Sequence, residues 1–186
     1  MSTRGCVAIK KERTWEGVYN HFDSYPSGLG QDLWDYLQGK DLKEFAEELL
    51  NFGDWREYLN GGICEYCGKK LGQPCNISVS NIDLVDRIGY PDPESKYHDH
   101  SNPDEPSMTP KNSDFLFIEW TYVVDVKNKL ILVHDSVEVS GKFRGKKSEE
   151  GYQEPLYKLR LLWTWKISGK KPNFKKLEQE LWDKDE

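Results

Sequence analysis

The sequence predicts an α+β fold: a single domain with a mainly antiparallel sheet, packed helices and an inserted Cys-x-x-Cys zinc knuckle. Three observations carry this expectation. Runs rich in β-branched and aromatic residues stand near both ends of the chain, an amphipathic helical stretch lies between them, and two cysteines two residues apart interrupt the order. The 186 residues suffice for one domain with a real core and would be marginal for two, because the buried fraction of the surface rises with size.

The elements follow in order. Residues 4–10 and 15–20 are short β-prone runs around a charged turn that begins at Lys11, and predict an opening hairpin. A loop over 20–30 follows, punctuated by Pro26, Gly28 and Gly30. Leu33, Trp34 and Leu37 place a helix over 31–38, with Gly39 to end it. Asp41 and Glu44 have capping-box spacing, and Leu42, Phe45, Ala46, Leu49 and Leu50 lie on one helical face behind them. A turn through Trp55 and Tyr58 leads to the knuckle, over 61–77. A short helix over 81–88 starts at Ser80. Residues 90–113 hold five prolines and predict a long loop that is either functional or mobile. A strand over 116–126 turns at Lys127 and Asn128 into a second over 130–134, and a third covers 156–167. Phe174, Leu177 and Leu181 share one face of a closing helix.

Composition narrows the function classes. A net charge of −6 repels phosphate backbones, and the short basic run that includes Lys142, Arg144, Lys146 and Lys147 meets Glu149 and Glu150 at once, so nucleic acid is not an expected partner. Mean hydropathy is −0.80, and no run approaches the ~20 apolar residues of a membrane span. The apolar stretch from Cys6 to Ile9 is too short for a signal peptide, so a cytoplasmic location without membrane attachment is expected. In a reducing compartment the four cysteines are read as ligands or free thiols rather than disulfides. Seven Trp, ten Tyr and seven Phe predict an aromatic core.

The best-marked chemistry is Cys64-Glu65-Tyr66-Cys67-Gly68-Lys69. Two thiolates at this spacing, followed by Gly and Lys, make a tight turn whose N–H groups point at the sulfurs, the geometry a tetrahedral zinc site uses for half its ligands. Cys75 is the expected third ligand. The fourth is left among Cys6, His98, His100 and His134. Three cysteine ligands favour a closed, structural zinc, because catalytic zinc keeps a position open for water. Ordinary thiols or a redox pair are the competing readings.

The 20–30 loop concentrates Asn20, His21, Asp23 and Ser24. Such residues serve acid/base chemistry, and they also bond the backbone in any turn before a helix. His98 and His100, two apart beside Asp99, Asp104 and Glu105, can reach one metal from an extended backbone or simply face solvent. Glu119 is an acid/base candidate if both faces of its strand are covered, and a surface residue if one face is wet.

Met1-Ser2-Thr3-Arg4-Gly5, the block Tyr-Asn-His-Phe-Asp-Ser-Tyr-Pro-Ser-Gly-Leu-Gly from Tyr19, and the run Asp-Phe-Leu-Phe-Ile-Glu-Trp from Asp114 together resemble a family of small microbial proteins that open Met-x-Thr-Arg-Gly. The resemblance spans most of the chain. It implies a shared fold and no particular activity. The opening also looks like an N-terminal-nucleophile hydrolase, in which removal of Met1 exposes Ser2 and its α-amino group, with a pKa near ~8, serves as base. Ser2, Thr3 and Asn20 are the matching positions. The expected function is that of a small zinc-binding protein with a ligand-binding or regulatory role toward a small molecule or protein. The alternatives are that hydrolase, acting on an amide or ester, and a metal-dependent hydrolase built on His21, Asp23, His98 and His100.

Overall fold

The computed structural model describes residues 3–52, 55–59, 61, 63, 107–111, 113–144 and 154–185. The chain is a mixed α+β fold. Strands β1 (Gly5–Lys10) and β2 (Trp15–Asn20) form the opening hairpin, and a single π-type turn (Pro26–Gly30) leads into helix α1 (Gln31–Tyr36). Helices α2 (Leu42–Leu49) and α3 (Trp55–Leu59) follow, then strands β3 (Trp120–Asp125), β4 (Leu130–Arg144) and β5 (Glu154–Lys166), and helix α4 (Phe174–Asp185).

The five strands form one sheet in the order β2-β1-β3-β4-β5. Three of the four contacts are antiparallel, and β1 with β3 is parallel. The sheet is therefore mainly antiparallel, as expected. The burial pattern explains the parallel pair. Every residue of β3, and all of β1 except Lys10, is buried, which is the pattern of strands covered on both faces rather than of a half-wet hairpin.

On one face, Val7, Val18, Tyr122, Val124, Ile131 and Val133 pack against Leu33 of α1 and Leu37 at its end, Phe45 and Leu49 of α2, and Phe174 of α4. On the other, Cys6, Ala8, Trp15, Tyr19 and Val123 pack with Ile118, and Met108 and Phe115 lie against them. Met108 also closes the free edge of β2, exchanging backbone hydrogen bonds of 2.8 and 2.9 Å with Gly17.

Helix α2 starts where its cap dictates. The Asp41 carboxylate accepts from the N–H groups of Lys43 at 2.8 Å and Glu44 at 3.2 Å, which serves two of the donors that a helix start leaves unpaired.

Two strands differ from their expected bounds. The strand expected over 116–126 begins only at Trp120, because Asp114 organises a turn: its side chain accepts from Leu116 N at 3.1 Å and its carbonyl from Ile118 N at 2.9 Å. Glu119 consequently precedes the strand and is exposed, so the burial that would make it an acid/base candidate is absent. The strand expected over 130–134 runs on to Arg144. Its pairing with β5 shifts twice, and between Glu138 and Phe143 four residues face a single position of β5. Gly141 supplies the left-handed backbone there, with φ +69°.

The knuckle at 61–77, with Cys64, Cys67 and Cys75, lies almost wholly outside the described residues. So do the helix at 81–88, His98 and His100, and most of the loop at 90–113. Among the described residues no group of three or more His, Cys, Asp and Glu side chains could hold a metal. Nor, among them, is any helix long and apolar enough to cross a membrane.

Candidate functional site

The 20–30 loop leaves the end of β2 and folds back over the start of β1. Asn20, the last residue of β2, is buried, and its amide Nδ2 donates to the Ser24 hydroxyl at 2.8 Å and to the Phe22 carbonyl at 2.5 Å. The Ser24 hydroxyl donates to the Asn20 carbonyl at 3.4 Å, and Ser24 N donates to the Thr3 hydroxyl at 3.0 Å. From below, the Tyr122 hydroxyl donates to the Ser24 carbonyl at 2.8 Å. Burial, followed by the charge of Glu178, holds the Tyr122 phenol well above its usual range, so this donor keeps its proton.

The loop is also clamped from α4. Glu178 is buried, and its carboxylate accepts from the backbone N–H of Ser27 and, at 2.9 Å, from the Ser27 hydroxyl. Asp23 adopts a left-handed backbone (φ 51°), a conformation Asp tolerates better than most residues, and its carbonyl accepts from Leu29 N at 2.8 Å. Gly30 allows the loop to close onto the sheet. A Cβ there would stand 2.9 Å from the Tyr122 ring and 3.1 Å from the Trp165 ring.

Three side chains at the outside of the loop are less enclosed. His21 is half-buried, its Nδ1 2.9 Å from the Tyr19 hydroxyl and its ring set edge-on to Phe22 with centroids 4.2 Å apart. Asp23 is exposed beside Tyr25, whose phenol is raised first by the Asp23 charge and then by burial.

The structure thus brings four of the expected residues to one end of the sheet. Asn20 and Trp120 both pair with Gly5, so His21, Asp23 and Glu119 follow or precede the same row. Glu119 accepts there from Arg4 N at 3.4 Å. Ser2 lies outside the described residues, next to Thr3.

Sequence reasoning missed Tyr122 and Glu178. The signal for Glu178 was its position: it stands four residues after Phe174 and three before Leu181, on the apolar face of the closing helix. A carboxylate on that stripe needs a partner inside the protein.

Of the four candidates for the fourth knuckle ligand, Cys6 and His134 are described. They lie in one row across the sheet, Cys6 opposite Thr121 and Thr121 opposite His134. Cys6 is fully buried, and burial pushes its thiol far above the usual range, which favours the protonated form over a thiolate ligand. The Thr121 hydroxyl and His134 Nδ1 are both buried without a hydrogen-bond partner. Burial lowers the His134 pKa, so its imidazole stays neutral.

Comparison with protein-family models, with curated proteins and with solved structures finds no match to this chain.

Proposed function

We propose that this chain is a ligand-binding or regulatory protein with a structural zinc at its cysteine knuckle, and that the 20–30 loop belongs to its framework. One observation carries binding over hydrolysis: the inward-facing polar groups of the loop are committed to the fold. The Asn20 amide, the Ser24 hydroxyl and both donors of Ser27 are occupied by Phe22, Asn20 and Glu178. A nucleophile or general base needs a lone pair or proton aimed at a substrate atom. In Asn20, Ser24 and Ser27 those atoms are held by partners inside the protein instead.

The zinc reading rests on donor chemistry. Cys64, Cys67 and Cys75 offer three thiolates, and His98 or His100 stands further along the chain as a fourth ligand. Such a site is closed, and its metal adds folding energy rather than a reactive water.

The test takes the intact purified protein through panels of chromogenic esters and anilides, with Ser2→Ala in parallel and metal content measured on the same sample. No turnover and one zinc per chain are expected. Turnover abolished by Ser2→Ala would overturn the binding reading in favour of an N-terminal-nucleophile hydrolase. Turnover that a chelator removes, and that His21→Ala or His98→Ala also abolishes, would favour the metal-dependent one. A metal-free chain in which Cys64, Cys67 and Cys75 all react freely with a thiol reagent would end the zinc reading.

A further inference from the structure

A cavity of about 200 Å³ opens between the 110–115 turn and the far ends of β4 and β5. Its lining is mixed: Pro110, Phe115, Pro155 and Tyr157 supply stiff apolar surface, and Ser113 is a neutral polar member. Its charged lining is Lys111, Asp114 and Arg144.

The fold builds this arrangement through an irregularity. Four residues of β4 bulge out opposite one position of β5, with Gly141 in the left-handed region, and regular pairing resumes at Phe143 and Arg144. A bulge bends its strand and re-aims the side chains beyond it. Arg144 is thereby brought to the turn, its Nη1 3.5 Å from Asp114 Oδ1. That same oxygen accepts from Leu116 N, so Asp114 is fixed by the turn it organises and in turn orients the guanidinium.

The balance of charge and shape selects a ligand. Arg144 presents five N–H donors, of which Asp114 engages one edge, and Lys111 has no ion-pair partner among the described residues. Among the described lining residues two cations stand against one carboxylate, on a chain whose net charge is −6. Phosphate dianions are penalised by Asp114, whereas a monoanionic carboxylate can take the free edge of the guanidinium in the paired geometry that arginine offers. The volume lies below the range of drug-sized sites and admits one ring or one branched side chain between the prolines and aromatics.

We infer that this cavity is a binding site for a small organic monocarboxylate with an apolar body, its carboxylate on Arg144 and Lys111 and its body between Phe115, Tyr157 and the two prolines. The inference deepens the ligand-binding reading and rests on it.

Titration of the isotope-labelled protein with benzoate, followed by amide chemical shifts, tests it. Saturable shifts centred on Phe115, Arg144 and Tyr157 are expected, with no comparable response to benzyl alcohol or inorganic phosphate. Arg144→Gln should weaken benzoate binding by about tenfold or more, as removal of a charge-assisted hydrogen bond does, while Arg144→Lys retains part of it. Lys111→Gln should weaken it less, and Lys170→Gln, remote from the cavity, should leave it unchanged. Three results overturn the assignment: no saturable response to benzoate, phenylacetate or isovalerate; equal shifts with benzyl alcohol; or benzoate affinity unmoved in both Arg144→Gln and Lys111→Gln with spectra that report an intact fold. A broader screen that finds a ligand elsewhere while the cavity stays silent sinks this site and leaves the binding reading standing. Hydrolytic turnover sinks that reading instead.

Discussion

At the 20–30 loop, Asn20 and Ser24, together with Glu178 of α4, are buried with their hydrogen bonds closed inside the protein. At the mouth of the β4–β5 cavity, Arg144 and Asp114 meet with side chains 51% and 41% exposed, and Lys111 stands exposed beside them. Both regions are short polar segments at the ends of strands. The difference teaches that polar composition says little until the hydrogen bonds are followed: the richer loop spends its buried donors inside the protein, and the plainer one keeps charged groups exposed.

The comparison breaks most readily at Glu178. Replacement by alanine leaves two half-buried donors of Ser27 without their acceptor and empties the buried site of the Glu178 side chain, and a loss of about 1–3 kcal/mol is expected in urea denaturation. Glu178→Gln, which keeps an acceptor, should lose less than half as much. A cost below ~1 kcal/mol for the alanine variant would mean that the loop is not clamped and that its polar groups are free for other work.

Gly30→Ala is next. The added methyl must displace the Tyr122 and Trp165 rings, and overpacking of this kind costs about 1–3 kcal/mol. A neutral effect would show the loop to be adaptable.

Acid sensitivity sharpens the comparison at an intermediate scale. Asp125 is buried, which by itself raises its pKa, but hydrogen bonds from Lys10 at 2.6 Å and from Asn128 outweigh burial and hold the carboxyl below its ordinary value. A folded-state pKa below the unfolded one stabilises the protein above the unfolded value of about 4, and that stabilisation is lost as pH falls through the folded value. Asp125→Asn should therefore flatten the acid limb of a stability profile below about pH 4. An unchanged limb would show the Lys10 pair to be idle.

The smallest effect is expected at the cavity. Lys111→Gln should leave stability within about 0.5 kcal/mol of the parent protein, because the side chain is exposed and holds nothing in place. A larger loss would make Lys111 part of the framework.

Much of the fold was legible from local pattern. The opening hairpin, α2 with its Asp41 cap and the apolar face of α4 all follow from spacing within a single element. What local pattern did not reveal was the neighbour of β1 on its other side. The pairing of Gly5 with Trp120 is a long-range choice, visible only as the shared lack of alternation in the two strands. The start of β3 was misplaced because Asp114 turns the chain where apolar alternation alone would continue it. In the candidate site, the loop was found by composition, and the contacts that hold it were not, since Tyr122 and Glu178 reach it from distant parts of the sequence.

The parallel pairing of β1 with β3 bears on how the chain acquires its shape. The contact between Lys10 and Asp125 joins residues 115 positions apart, so β1 must wait for β3 before its inner edge is covered. Contacts of such separation require a large loop to close before they are rewarded, which slows folding. Until then the hairpin presents the unpaired edge of Cys6-Val7-Ala8-Ile9, an apolar run of the kind that seeds wrong pairing between chains. Its safety during synthesis depends on the speed of that closure.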